Sequence, residues 1–168
     1  LEVGPVKIEP NKISTAYRVV DGDTSASTDL IYKYEESVVD PDDPASMNLA
    51  SMIGAQLALN YGLFFRTIVF HGVFDDADKR FLKDMMENTS REIYVKKFLE
   101  DNPFLTREFQ GMTPVKKKRY TNATLEFSDT GSPRNRQPWT LNSADPNDHA
   151  ILSSGGKDSL LSYGLLNE

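Results

Sequence analysis

Between Val3 and Glu36 the apolar positions fall in short β-branched and aromatic runs, Ala16 to Val20 and Leu30 to Tyr34. The turn signal Asp21, Gly22, Asp23, Thr24 separates them, and the pattern predicts two or three antiparallel strands. Asp40 to Pro44 then punctuates the chain. Asp42 or Asp43 can cap a helix there, with Pro44 at its first position, where the missing N–H removes no hydrogen bond. From Ala45 to about Asn60 apolar residues occupy nearly the whole circumference (Met47, Leu49, Met52, Ile53, Leu57, Leu59), so this helix is expected to be buried at the centre of the first domain. Gly62 is placed to end it.

Leu63 to Phe70 is apolar except for Arg66 and Thr67, which predicts an interior strand with His71 and Gly72 at its C-terminal end. A second helix is expected from Asp75 and Asp76 through Phe81, Leu82, Met85 and Met86, its first carboxylates facing the positive end of the dipole. Thr89 to Glu92 has capping-box spacing and predicts a third helix carrying Ile93, Tyr94, Phe98 and Leu99 inward until Pro103. Met47, Met52, Met85 and Met86 fall at helical spacing and read as core. Arg119 to Phe127 alternates as a strand does, and Ser128 to Asp148, rich in Gly, Pro, Asn, Ser and Asp, reads as an interdomain linker. The expected organisation is an α+β N-terminal domain over 1–145, followed by the start of an α/β domain over 146–168.

Composition narrows the function classes. The 168 residues, 39% hydrophobic, suffice for one core and the start of another. A formal charge of -6 repels phosphate backbones, so a nucleic-acid partner is not expected without a localised basic patch. The absence of cysteine excludes disulfides, thiolate metal sites and sulfur relay from these residues and fits a reducing cytoplasm. No stretch approaches the roughly 20 apolar residues of a membrane span. The first ten residues lack a signal-peptide pattern, and the leading Leu1 is not expected to be a native N-terminus.

The sharpest chemistry lies near the C-terminal end. Ala150 to Ser153 is a short apolar strand, followed by Ser154, Gly155, Gly156, Lys157, Asp158 and Ser159, then by Leu160, Leu161, Tyr163, Leu165 and Leu166 in a helical run. Strand, glycine loop and helix in that order suit a polyphosphate: the glycines let the main chain approach it, and the helix aims unpaired N–H groups and its positive dipole end at it. Lys157 in a first turn is disfavoured by the dipole unless an anion is bound. A plain helix cap with flexible glycines accounts for Ser154 and the glycines but not for the lysine.

The hexad SGGKDS resembles the signature of the PP-loop ATP pyrophosphatase superfamily, whose domains have an adenine nucleotide alpha hydrolase-like fold. It is not a Walker loop, which needs four residues between its glycines. The resemblance implies cleavage of ATP to AMP and pyrophosphate, with Ser154, Gly155, Gly156, Lys157 and Ser159 holding the pyrophosphate moiety. Asp158 stands at the motif's acidic position, structural or linked to magnesium. It also implies that Mg2+ accompanies the ATP and that this chain holds only the first βα unit of such a domain, so the polypeptide alone is expected to be inactive.

The order of parts, an α/β region of about 145 residues ahead of the loop, is similar to bacterial and archaeal proteins resembling UDP-N-acetylmuramoyl-L-alanyl-L-glutamate epimerase. Leu30 to Tyr34, the apolar helix before Tyr61 and Gly62, and Ile151 to Leu161 carry that likeness. It implies adenylation of a small-molecule carboxylate, with a peptidoglycan-precursor glutamyl group as one substrate class and epimerisation, an isomerase activity, as its outcome. No residue maps onto a catalytic base. Two rivals stay open: a tRNA-modifying PP-loop enzyme, and a non-catalytic binding or scaffold module whose loop merely contacts a phosphate.

Lesser candidates remain. His71 with Asp75 and Asp76 could form an acid-base or metal cluster, although acidic residues at a helix start are ordinary dipole complements. Lys116, Lys117, Lys118 and Arg119, the one basic run, with Tyr120 after it, could touch a substrate phosphate or RNA, but in an acidic chain and without interleaved aromatics it reads as a solvated approach to a strand. His149 reads as a linker residue, and Arg134 and Arg136 are placed where they could reach over a nucleotide.

Overall fold

Three antiparallel strands open the chain: β1 (Glu2–Glu9), β2 (Lys12–Asp21) and β3 (Thr24–Lys33). β2 and β3 form a ten-residue ladder closed by the Gly22, Asp23 turn, where Thr24 Oγ1 donates to the Asp21 carbonyl. β4 (Thr67–Gly72) and β5 (Thr124–Asp129) add in parallel, giving one mixed sheet of order β3-β2-β1-β4-β5. The computed structural model describes residues 1–37, 39–99, 102–106, 115–129 and 157–166. The chain divides into two units, Leu1–Gln137 and Pro138–Glu168. The first is α+β.

α1 (Pro44–Ala55) starts where the sequence places it. Asp43 caps it, accepting from the Ala45 and Ser46 N–H groups, and these two bonds hold the Asp43 carboxyl below its ordinary range. A 3₁₀ segment (Gln56–Tyr61) prolongs α1 to Gly62. No side chain from Ala45 to Ala55 is exposed, but the most deeply buried positions are small: Ser46, Ala50, Ser51, Gly54 and Ala55. They let the helix lie close on the sheet. A Cβ on Gly54 would stand 2.3 Å from Thr15 Oγ1. Beside it, buried Tyr17 donates its hydroxyl to the Gly54 carbonyl. Gly4, at φ +97°, marks the β1 bulge, where a Cβ would stand 2.1 Å from the His71 carbonyl.

The core gathers Val3, Tyr17, Leu59, Ile68, Phe70, Leu82 and Met86 between sheet and helices. Met52 and Met85 pack at its margin. Phe70 stacks on Phe127 at 5.3 Å and Phe74 meets both rings edge-on, geometries that add roughly 0.5–1.5 kcal/mol per pair beyond burial.

Three expectations are corrected. The interior strand begins at Thr67 instead of Leu63, because Phe64 and Phe65 turn back to donate to the Tyr61 carbonyl. No third helix restarts at Thr89: α2 (Asp76–Tyr94) is continuous and passes into a π turn (Val95–Leu99). A cap needs extended backbone, whereas Ser90 sits 1% exposed on the inner face of α2, accepting from Thr121 Oγ1. The last strand starts at Thr124, not Arg119, and takes Ser128 and Asp129 from the expected linker. Its approach is bonded elsewhere: the Tyr120 and Thr121 N–H groups donate to Glu87, and those of Asn122 and Ala123 to the Gly62 carbonyl. With those donors consumed, the ladder cannot begin earlier.

Candidate functional site

In the second unit the described element is α3 (Lys157–Leu166). Lys157, Asp158 and Ser159 therefore form its first turn, directly after Gly155 and Gly156 in sequence. The N–H groups of a helix's first three residues lack intrahelical acceptors, so those of Lys157, Asp158 and Ser159 are the ones a ligand could meet there. Leu160, Leu161, Tyr163 and Leu165 are exposed. The rest of the candidate loop, Ser154, Gly155 and Gly156, lies outside the described residues, as do the expected strand Ala150 to Ser153, His149, Arg134 and Arg136.

The His71, Asp75, Asp76 cluster resolves into helix chemistry. Asp75 caps α2, accepting from the Asp78 N–H at 2.8 Å, while Asp78 Oδ2 accepts from the Asp75 N–H at 3.0 Å. Buried Asn48 completes the group, donating from Nδ2 to Asp78 Oδ2 (2.7 Å) and to the Val73 carbonyl (2.9 Å). This network fastens α1 to the start of α2. The alternation of β4 turns His71 away from the face carrying Ile68 and Phe70. Among the described residues no group of three or more His, Asp or Glu could hold a metal ion.

The basic run is exposed and docked on α2 through Glu87. Burial opposes ionisation of Glu87, yet the N–H groups of Tyr120 and Thr121, with Arg119 at 3.8 Å, outweigh it and hold its carboxyl below the usual range.

One concavity had no counterpart in the sequence reading. A pocket of about 310 Å3 opens beside the 3₁₀ segment, lined by Tyr17, Val19, Leu30, Leu57, Tyr61 and Phe65. Its signal was present as spacing: Tyr17 and Val19 share a strand face, and Leu57 and Tyr61 stand four apart. Burial pushes the Tyr17 phenol well above its ordinary value, so it stays a neutral donor to Gly54 rather than an acid-base group. The lining is mostly apolar and suits an apolar group, with Ser27, Thr28 and Asp29 as its polar members.

Among the described residues no helix is long and apolar enough to cross a membrane. Comparison with models of protein families, with curated proteins and with solved structures finds no match to this chain.

Proposed function

We propose that the chain supplies the pyrophosphate-gripping loop of a PP-loop enzyme, which cleaves ATP to AMP and pyrophosphate while adenylating a small-molecule carboxylate. The observation that carries this reading is the start of α3 at Lys157, immediately after the paired glycines. An ordinary first turn favours acids, and a cation there is disfavoured by roughly 0.3–1 kcal/mol. A bound diphosphate reverses that sign, since lysine, dipole and free N–H groups then all meet negative charge.

In the proposed reaction a substrate carboxylate oxygen attacks the α-phosphorus. The bond from that phosphorus to the bridging oxygen of the β-phosphate breaks, and pyrophosphate leaves with the electron pair. Ser154, Ser159, the glycine amides and Lys157 hold the departing group, so that charge developing on it meets donors already oriented. Asp158, as the motif's acidic residue, would be the one to hold magnesium, which would supply neutralisation of the phosphate charge. A glutamyl carboxylate of the peptidoglycan-precursor type is the substrate class proposed, its adenylation acidifying the neighbouring carbon for epimerisation.

The test is AMP formation by the protein carrying this chain, assayed against amino-acid and peptidoglycan-precursor carboxylates. AMP and pyrophosphate in equal amounts support the reading; ADP and phosphate as products rule it out.

A further inference from the structure

Positive charge is concentrated in one stretch of the sequence, although the chain as a whole is acidic. Residues 91–120 hold eight Lys or Arg against four Asp or Glu, while the remainder hold 11 against 21. The structure sets one of these cations, Lys117, over an aromatic group centred on Tyr94. The Tyr94 hydroxyl donates to the Val115 carbonyl (3.1 Å) and accepts from the Val115 N–H (3.0 Å). Lys117 Nζ stands 5.6 Å over the Tyr94 ring, with Phe98 and Tyr120 at 5.7 and 5.0 Å from it. Asn102 joins the next turn, its Nδ2 donating to the Lys97 carbonyl and its Oδ1 accepting from the Phe104 N–H.

Lys97, Lys116, Lys117 and Lys118 are exposed, and Phe104 is 94% exposed. Apart from Lys117 over the Tyr94 ring, neither feature helps the fold. Neighbouring like charges repel, and a bare aromatic ring forfeits the burial that makes such residues stabilising. What complements both is a flexible chain of anions bearing flat apolar faces. We propose that this surface binds single-stranded nucleic acid, with phosphates on Lys97, Lys116, Lys117 and Lys118 and a base stacked on Phe104. The basic run alone lacked interleaved aromatics; tertiary structure supplies them from the end of α2 and the turn at Phe104. A membrane surface fits less well, because insertion strength grows with buried apolar area and Phe104 is a single ring.

The test is fluorescence anisotropy of the full chain with a labelled oligouridylate about 16 nucleotides long. Four phosphate contacts on a single strand give a log–log salt slope of about -3, so affinity should fall about 50-fold from about 50 to about 200 mM salt. The double variant Lys116→Glu, Lys118→Glu should weaken binding at least about tenfold. Phe104→Ala should weaken it about fivefold or more. Circular dichroism melts check that both variants remain folded. A control with the same charge change on the sheet, Lys7→Glu with Lys33→Glu, should bind as the parent does. The proposal is overturned if that control loses as much affinity, if Phe104→Ala changes nothing, or if a duplex binds as tightly. Binding only to vesicles of phosphatidylserine and phosphatidylcholine would overturn it equally.

Discussion

Replacing Gly54 by alanine tests how closely α1 lies on the sheet. The new Cβ would stand 2.3 Å from Thr15 Oγ1, 3.0 Å from its Cγ2 and 3.1 Å from its Cβ. Contacts of this kind are comfortable only at roughly 3.5–4.0 Å, so helix and strand must part by about an ångström. Thr15 cannot yield readily, being 1% exposed on an interior strand beside Tyr17, whose bond to the Gly54 carbonyl ties the same two elements. Overpacking of this size costs about 1–3 kcal/mol, and alanine recovers up to about 1 kcal/mol of helix propensity. The net expectation is a loss of about 1–2 kcal/mol, a fall of roughly 2–8 °C in melting temperature. Thr15→Ala removes both nearest atoms, and urea titrations followed by circular dichroism should show it recovering about 1 kcal/mol in the Gly54→Ala background. Equal losses in both Thr15 backgrounds would refute the close approach.

Thr15 Oγ1 is itself buried without a hydrogen-bond partner, so Thr15→Val, nearly isosteric, should raise stability by about 1 kcal/mol in the same titration. Glu87→Gln should cost about 1–2 kcal/mol at neutral pH by weakening the acceptor for Tyr120 and Thr121. Because the folded-state value of Glu87 lies below its ordinary 4.5, its contribution is present above pH 4.5 and fades as pH falls through the depressed value. Urea midpoints of parent and Glu87→Gln should therefore converge on acidification, and a constant gap from pH 7 to below pH 4 contradicts the assignment. Asn48→Ala leaves Asp78 and the Val73 carbonyl short of a donor and should cost about 2 kcal/mol, read by thermal melting.

Local signals were the legible part of the fold. Asp43 with Pro44, the Asp21 to Thr24 turn and the acidic start of α2 each act within four residues, and each stands where the sequence placed it. What the sequence concealed was competition between distant partners. Arg119 to Ala123 alternates like a strand, but the N–H groups of Tyr120 to Ala123 are claimed by Glu87 and Gly62, and nothing near residue 120 announces either. Thr89 to Glu92 carries a cap's spacing, yet Ser90 is committed to the inner face of an unbroken helix. The candidate loop could be proposed from sequence because its six residues are contiguous. The aromatic cluster at Tyr94 was not, since it joins residues 94, 98 and 120.

The central claim is that the amides of Ser154 to Ser159, with Lys157, hold a diphosphate at the N-terminus of α3. Amide chemical shifts of the chain, followed while magnesium pyrophosphate is added, test it without need of a substrate. Saturable shifts centred on residues 154–159 that vanish in Lys157→Ala are the predicted result. Shifts confined to other residues, or unchanged by that substitution, would contradict it.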